Sequence, residues 1–141
     1  MTITASLGCI KDTGTAKGRG VFALRAIGAG EVVEVCPAII VRKPKAMLPP
    51  RLRAYVFSWT SLGGQPGLVA IALGYGSMYN HANPANMRYE AMIESGCMRF
   101  IASRDIAADE ELTINYNNAS GDNRSVKDAW FEAHGITPLG T

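Results

Sequence analysis

The chain has 141 residues, 48% hydrophobic and 18% charged, with a net charge of +2 at neutral pH. That is the length of one domain with an ordered core, and the mixture excludes a disordered chain. So small a net charge excludes a polyanion binder driven by bulk charge. The longest apolar run, Leu68–Leu73, is far below the roughly 18 residues of a membrane helix. Met1 is followed by neither a basic segment nor an apolar run of signal-peptide length, so a cytoplasmic protein with no membrane partner is expected. Delivery to a nucleus or a host cell is left open. Residues 1–60 carry nine Lys/Arg against Asp12, Glu31 and Glu34, and residues 61–141 carry five against nine acids. The acidic half either attracts a basic substrate or, as is commoner, pairs with the basic half. Cys9, Cys36 and Cys97 form no C-x-x-C and have no His at ligand spacing, so reduced thiols are expected, with no metal site and no disulfide framework.

In chain order, the first 17 residues read as a short irregular or edge segment. Val21–Leu24 is a short apolar stretch, and Gly28-Ala29-Gly30 supplies a turn. Glu31–Cys36, rich in Val, and Ile39–Val41 are predicted as two strands. Pro44, Pro49 and Pro50 lie among basic residues in a connection that cannot be a central strand. Leu52, Tyr55, Val56 and Trp59 recur at helical steps, which predicts a short helix over Arg51–Trp59. Leu68–Leu73 reads as a buried strand, followed by a region dense in Gly, Asn and Tyr from Gly74 to Asn86. Met87–Ile93 and Met98–Ser103 are predicted strands around a turn, and Leu112–Tyr116 is a last one. Asp128–His134 has the character of a final helical turn or two. Arg25–Glu31 and Arg104–Glu110 both match Arg-x-Ile-x-Ala-x-Glu, which is read as turn chemistry used twice and not as an array. Many short strands separated by turns give a mainly β fold with little helix.

Three segments stand out chemically. In Lys17-Gly18-Arg19-Gly20-Val21, two glycines either let the backbone approach a ligand or form a tight turn into a strand. Neither a dinucleotide fingerprint nor a P-loop is present. In Tyr79–Asn86, three Asn and a His surround Pro84; such side chains most often cap turns, yet an Asn amide also donates and accepts at once. His81 alone fits a hydrogen-bonded structural residue better than a general base. Glu110–Tyr116 is an alternating strand ending in Tyr, a residue usually half-buried with its hydroxyl bonded to backbone. The basic stretch Arg42–Arg53 lacks the aromatic interleaving of a base-stacking surface, so direct nucleic-acid binding is not expected.

In this order the three segments resemble the SET-domain family of protein-lysine methyltransferases, closest to compact single-domain viral and bacterial members. Gly18-Arg19-Gly20-Val21-Phe22-Ala23 resembles the G-x-G motif, Asn80–Asn86 the N-H-x-x-x-P-N motif, and Glu110–Tyr116 the E-E-L-T-x-x-Y motif. Tyr55-x-Phe57-Ser58 and Ala72–Gly76 add to the likeness. Pro84 falls one place earlier than in the family pattern, and Ala82 replaces a usual Ser. The resemblance implies one SET domain over 1–141, with a core of about 8–116 and a closing segment at 117–141. It implies a β-clip-like fold in which the chain threads under a loop and joins the Asn80 and Tyr116 segments. It implies S-adenosyl-L-methionine as cofactor, held by Lys17, Gly18, Arg19, Gly20, Asn80 and His81. Trp130 either covers the adenine or is simply packed. Tyr116 is then the catalytic residue, with Tyr75, Tyr89 and Ile114 along the lysine channel. Ile114 stands where a larger aromatic often limits the number of methyl groups added. The implied partner is a lysine-containing protein or peptide, and a homodimer is left open. The alternative is a SET-fold binding module without turnover; the joint presence of Gly18, Gly20, Asn80, His81 and Tyr116 favours the enzyme.

Overall fold

The computed structural model describes residues 2–64, 66–117 and 119–120. Strands β1 (Gly8–Asp12), β2 (Arg19–Ala23), β3 (Val32–Val41), β4 (Val56–Ser58), β5 (Val69–Ala72), β6 (Asn80–His81), β7 (Met87–Met92), β8 (Cys97–Ala102) and β9 (Glu111–Ile114) follow one another along the chain. They form two sheets, ordered β1-β2-β9-β6 and β4-β5-β3-β8-β7. Helix is confined to short 3-10 turns among the described residues, in keeping with the mainly β expectation.

Burial explains why these stretches are strands. In β8, Met98, Phe100 and Ala102 are closed to solvent on one face, and Cys97 and Ile101 are nearly so on the other. A strand covered on both faces needs an almost continuous apolar run, and β8 has one. The predicted edge segment at the N-terminus holds β1, which pairs with β2 alone.

The two strands expected over Glu31–Val41 are one, β3, that runs through Pro37. Its ladder with β8 ends at Pro37↔Cys97 and its ladder with β5 begins at Ala38↔Ala72. Proline cannot donate to a ladder, and here it sits where the strand changes partner. Its carbonyl still accepts from the Leu73 N–H at 2.9 Å.

The helix expected over Arg51–Trp59 is a correction. Pro50–Tyr55 is a 3-10 turn and Val56–Ser58 is β4, paired antiparallel with β5. Val56 and Phe57 favour a pleated surface, and Phe57 gains edge-on contact with Tyr89 at 5.3 Å between ring centroids. Pairing to an open sheet edge outweighs the helical spacing.

Three devices place the last strand. β6 and β9 pair in parallel, with Asn80 opposite Thr113 and His81 opposite Ile114. Asn86 fastens the next few residues to the same strand, donating to the Glu111 carbonyl at 2.7 Å and accepting from the Thr113 N–H at 2.9 Å. Ile27 and Ile106 exchange both backbone hydrogen bonds, which ties the turn before β3 to the turn before β9.

Candidate active site

The hairpin loop between β1 and β2 carries the two glycines. Gly18 has φ +76, a left-handed conformation that a side chain resists, and its carbonyl accepts from both the N–H and the hydroxyl of Thr13 at 2.7 Å. Gly20 is buried, and a Cβ there would lie 2.5 Å from Glu111 Oε2 and 3.0 Å from Asn80 Nδ2. A side chain at this position would displace the ends of the Asn80 and Glu111 side chains. Asn80 Nδ2 donates to the Arg19 carbonyl at 2.9 Å and to Glu111 Oε2 at 2.8 Å. Lys17 Nζ stands 4.0 Å from Glu111 Oε1. The sequence-predicted Lys17, Gly18, Arg19, Gly20 and Asn80 thus meet on one side of the β2-β9-β6 sheet, with Glu111 joining them.

His81 links this cluster to Tyr116. The Tyr116 N–H donates to His81 Nδ1 at 3.1 Å, so Nδ1 is the unprotonated nitrogen and the ring serves as an acceptor. The two rings lie 5.2 Å apart. The Tyr116 hydroxyl donates to the Tyr79 carbonyl at 2.9 Å. On the other side, the Tyr89 hydroxyl donates to the Asn115 carbonyl at 3.2 Å and the Tyr89 N–H to the Ala119 carbonyl at 2.9 Å. The chain beyond β9 is thus bonded to Tyr79–His81 on one flank and to Tyr89 on the other, which joins the Asn80 and Tyr116 segments.

A cavity of about 620 Å³ opens beside Tyr116. Tyr55, Phe57, Tyr79, Tyr89 and Ile114 are also on its wall, with Lys45 and several hydroxyls. Its lining contains no carboxylate, imidazole or thiol among the described residues. Burial, and to a lesser degree the neighbourhood of Tyr55, Glu111 and Tyr89, pushes the Tyr116 phenol well above its ordinary range. Burial alone pushes Tyr89 up to about 12. Both stay protonated in neutral solution, so they act as hydrogen-bonding groups and not as bases. An aromatic and hydroxyl-lined cavity of this kind can desolvate and orient an amine at the end of an aliphatic chain.

Of the residues expected along such a channel, Tyr89, Ile114 and Tyr116 are on the wall. Tyr75 is not; its N–H donates to Glu34 Oε2 at 2.9 Å. Lys17, Gly18, Arg19, Gly20, Asn80 and His81 are outside the cavity lining, His81 lying against Tyr116. Trp130 and nearly all of the expected closing segment 117–141 lie outside the described residues. Sequence reasoning overlooked Tyr79, Glu34 and the side chain of Glu111. Tyr79 precedes the Asn-His pair directly and Glu111 is the second Glu of the E-E-L-T motif, which were the available signs; Glu34 gave none, because an acid in a strand normally faces water.

A SET domain profile matches residues 18–117. A Schizosaccharomyces pombe histone-lysine N-methyltransferase, specific for lysine 37 of histone H3, is 33% identical over 132 residues, covering 92% of this chain and 83% of that protein. A Plasmodium falciparum chain provisionally named a histone methyltransferase superposes with a TM-score of 0.63 at 25% identity, covering 80% of this chain and 95% of that one. A chain of the Chaetomium thermophilum Polycomb Repressive Complex 2 shares the fold, with a TM-score of 0.65 at 22% identity over 83% of this chain and 16% of that one. Among the described residues no helix is long and apolar enough to cross a membrane. SET methyltransferases generally use S-adenosylmethionine and act on lysine-containing proteins. With the glycine loop bonded to Asn80 and the Asn80-His81 pair bonded on to Tyr116, this chain belongs to the SET domain family and is a protein-lysine N-methyltransferase.

Proposed function

We propose that the chain transfers methyl groups from S-adenosylmethionine, held at Lys17–Gly20, Asn80 and His81, to a lysine ε-amine that enters the cavity and ends at Tyr116. One observation carries this reading. Tyr116 is on the cavity wall and is bonded through its N–H to His81, next to Asn80, so it stands between the two groups of residues. The residues present suit the cofactor. The backbone at Gly18 is open, since a Cβ there would meet nothing within 4 Å. Both amide hydrogens of Asn80 are committed to Arg19 and Glu111, which leaves its Oδ1 to accept from an ammonium. Lys17 and Glu111 set opposite charges beside it, as a zwitterionic amino-acid end requires.

The cofactor supplies a methyl group on a sulfonium. The chain's own residues align the amine and exclude water from it. Methyl transfer is an in-line displacement, and orientation of the two reactants contributes most of the rate. An amine must be neutral to react, and desolvation among Tyr55, Phe57 and Tyr89 favours the neutral form. The Tyr116 hydroxyl gives its hydrogen to the Tyr79 carbonyl, so its oxygen lone pairs are the groups it offers to an amine or to a polarised methyl. The relative's name makes a histone tail the first substrate to test. The family resemblance alone supports Trp130 over the adenine and 117–141 as the segment that closes the channel; Tyr75, off the described cavity wall, has only the same support as a channel residue.

Calorimetric titration with S-adenosylmethionine and transfer of labelled methyl to a histone H3 tail peptide test the assignment together. Asn80→Ala is expected to weaken cofactor binding by about tenfold or more, as loss of hydrogen bonds to charged groups does. Tyr116→Phe is expected to lower kcat by about a hundredfold with cofactor affinity changed less than about threefold. Equal methyl transfer by wild type and Tyr116→Phe would remove Tyr116 from the centre of the site.

A further inference from the structure

We infer that Glu34 is a positioning residue of the active site: its buried carboxylate clips the turn from Tyr75 to Tyr79, and that turn holds both Tyr55 and Tyr116 on the cavity wall. The inference rests on the reading of Tyr116 given above. Glu34 lies on β3, outside the cavity lining, and is 2% exposed. Its Oε1 accepts from the Tyr79 hydroxyl at 2.6 Å and its Oε2 from the Tyr75 N–H at 2.9 Å. One carboxylate therefore grips both ends of the turn. The chain wraps it closely, because a Cβ at Gly74 would lie 2.3 Å from Oε2.

The other face of the turn meets the site. The Tyr79 carbonyl accepts from the Tyr116 hydroxyl at 2.9 Å. The Ser77 hydroxyl donates to the Tyr55 carbonyl at 2.8 Å and accepts from the Ala72 N–H at 3.0 Å. Tyr79 is further fixed by Ser6 Oγ at 2.9 Å from its hydroxyl and by the Phe100 ring at 4.9 Å. The clip and the two cavity tyrosines are thus parts of one hydrogen-bonded unit.

The chemistry of the clip indicates a purpose beyond folding. The titratable groups against the carboxylate are Tyr79 and Cys36, and neither is a cation. Burial raises the Glu34 carboxyl, which is the cost of placing an acid there without a positive partner. The turn presents two donors, and only a carboxylate accepts on both of its oxygens; a glutamine accepts on one.

Tyr79→Phe keeps the ring and cuts the tether. With a histone H3 tail peptide and labelled S-adenosylmethionine, it is expected to lower kcat about tenfold, leaving the peptide KM and the cofactor Kd within about twofold. In a Tyr116→Phe background the same change is expected to alter kcat by less than about twofold, because the interaction it supports is already gone. Wild-type kcat in Tyr79→Phe, with Tyr116→Phe impaired, overturns the clip alone. Equal fractional losses in both backgrounds overturn it too, since general loosening would simply add. Full activity of Tyr116→Phe overturns the role of Tyr116 and with it the clip's route to the reaction. A measurement independent of turnover is NMR of ring-labelled tyrosines. The Tyr116 resonance, identified by its loss in Tyr116→Phe, is expected to shift in Tyr79→Phe and Glu34→Gln and to stay in place in the surface variant Leu24→Ser. An unmoved Tyr116 resonance overturns the inference.

Discussion

Gly20 and Glu34 illustrate opposite kinds of residue. At Gly20 the absence of a side chain makes room for Asn80 and Glu111, and the G-x-G motif announces it in the sequence. Glu34 stands between Val33 and Val35 in a Val-rich strand, where an acid looks like the solvent side of an alternating pattern. In the fold it is buried, as are its neighbours, because β3 is covered on both faces. Its consequence is a pH dependence. The carboxyl of Glu34 is raised above its ordinary value in the folded chain, with burial the main cause and the bonds from Tyr79 and Tyr75 opposing it. A group that holds its proton more tightly when folded stabilises the fold fully below its unfolded value. That contribution is lost as pH rises through the folded one. Thermal melting from about pH 4 upward is expected to show wild type losing stability relative to Glu34→Gln as the carboxyl ionises. A stability difference independent of pH across that range would show that Glu34 is not raised.

At the scale of elements, the repeated Arg-x-Ile-x-Ala-x-Glu pattern proves to be one turn built twice. In each copy the Arg pairs with the Glu, Arg25 with Glu31 and Arg104 with Glu110. In each copy the Glu N–H closes the turn, onto Gly28 in one and Ala107 in the other. The sixth position takes positive φ in both, Gly30 at +84 and Asp109 at +67. The sequence displayed the two turns but not that they face each other through Ile27 and Ile106, which are 1% and 2% exposed. Ile106→Ala is expected to cost about 2–5 kcal/mol in chemical denaturation, the range for deleting a buried aliphatic side chain. With Ile27→Ala the two losses are expected to be non-additive, because the residues share one contact. A loss well under 1 kcal/mol would mean that the pair does not join the sheets. β4 teaches the reverse lesson: its helical spacing was legible and misleading, because an open edge of β5 was available to pair with it.

Across the whole molecule, the order of pairing joins distant parts of the chain. β2 meets β9 with Phe22 opposite Glu111, and β3 meets β8 with Val35 opposite Arg99. The basic and acidic halves also touch, at Lys11 with Asp109 and Lys17 with Glu111, which favours mutual pairing as the use of that charge asymmetry. Such exposed or half-exposed pairs add little stability. Pairing between remote strands is slow, because loop closure costs entropy before contacts repay it. Refolding followed by the fluorescence of Trp59, which is 3% exposed, is expected to take milliseconds to seconds. Completion within microseconds would be inconsistent with this topology.

By itself the sequence determined the β-rich class, the three motifs and the enzyme family. Strand periodicity, turn residues and the ordered motif set are local properties, carried by residues close together in the chain. Only the tertiary structure decided that Arg19, Asn80 and Glu111 share hydrogen bonds, that Tyr116 spans from His81 to the cavity, and that Glu34 is interior. Those facts depend on which strands become neighbours. That choice is made by the burial and pairing energy of the whole chain, which no short window of residues contains.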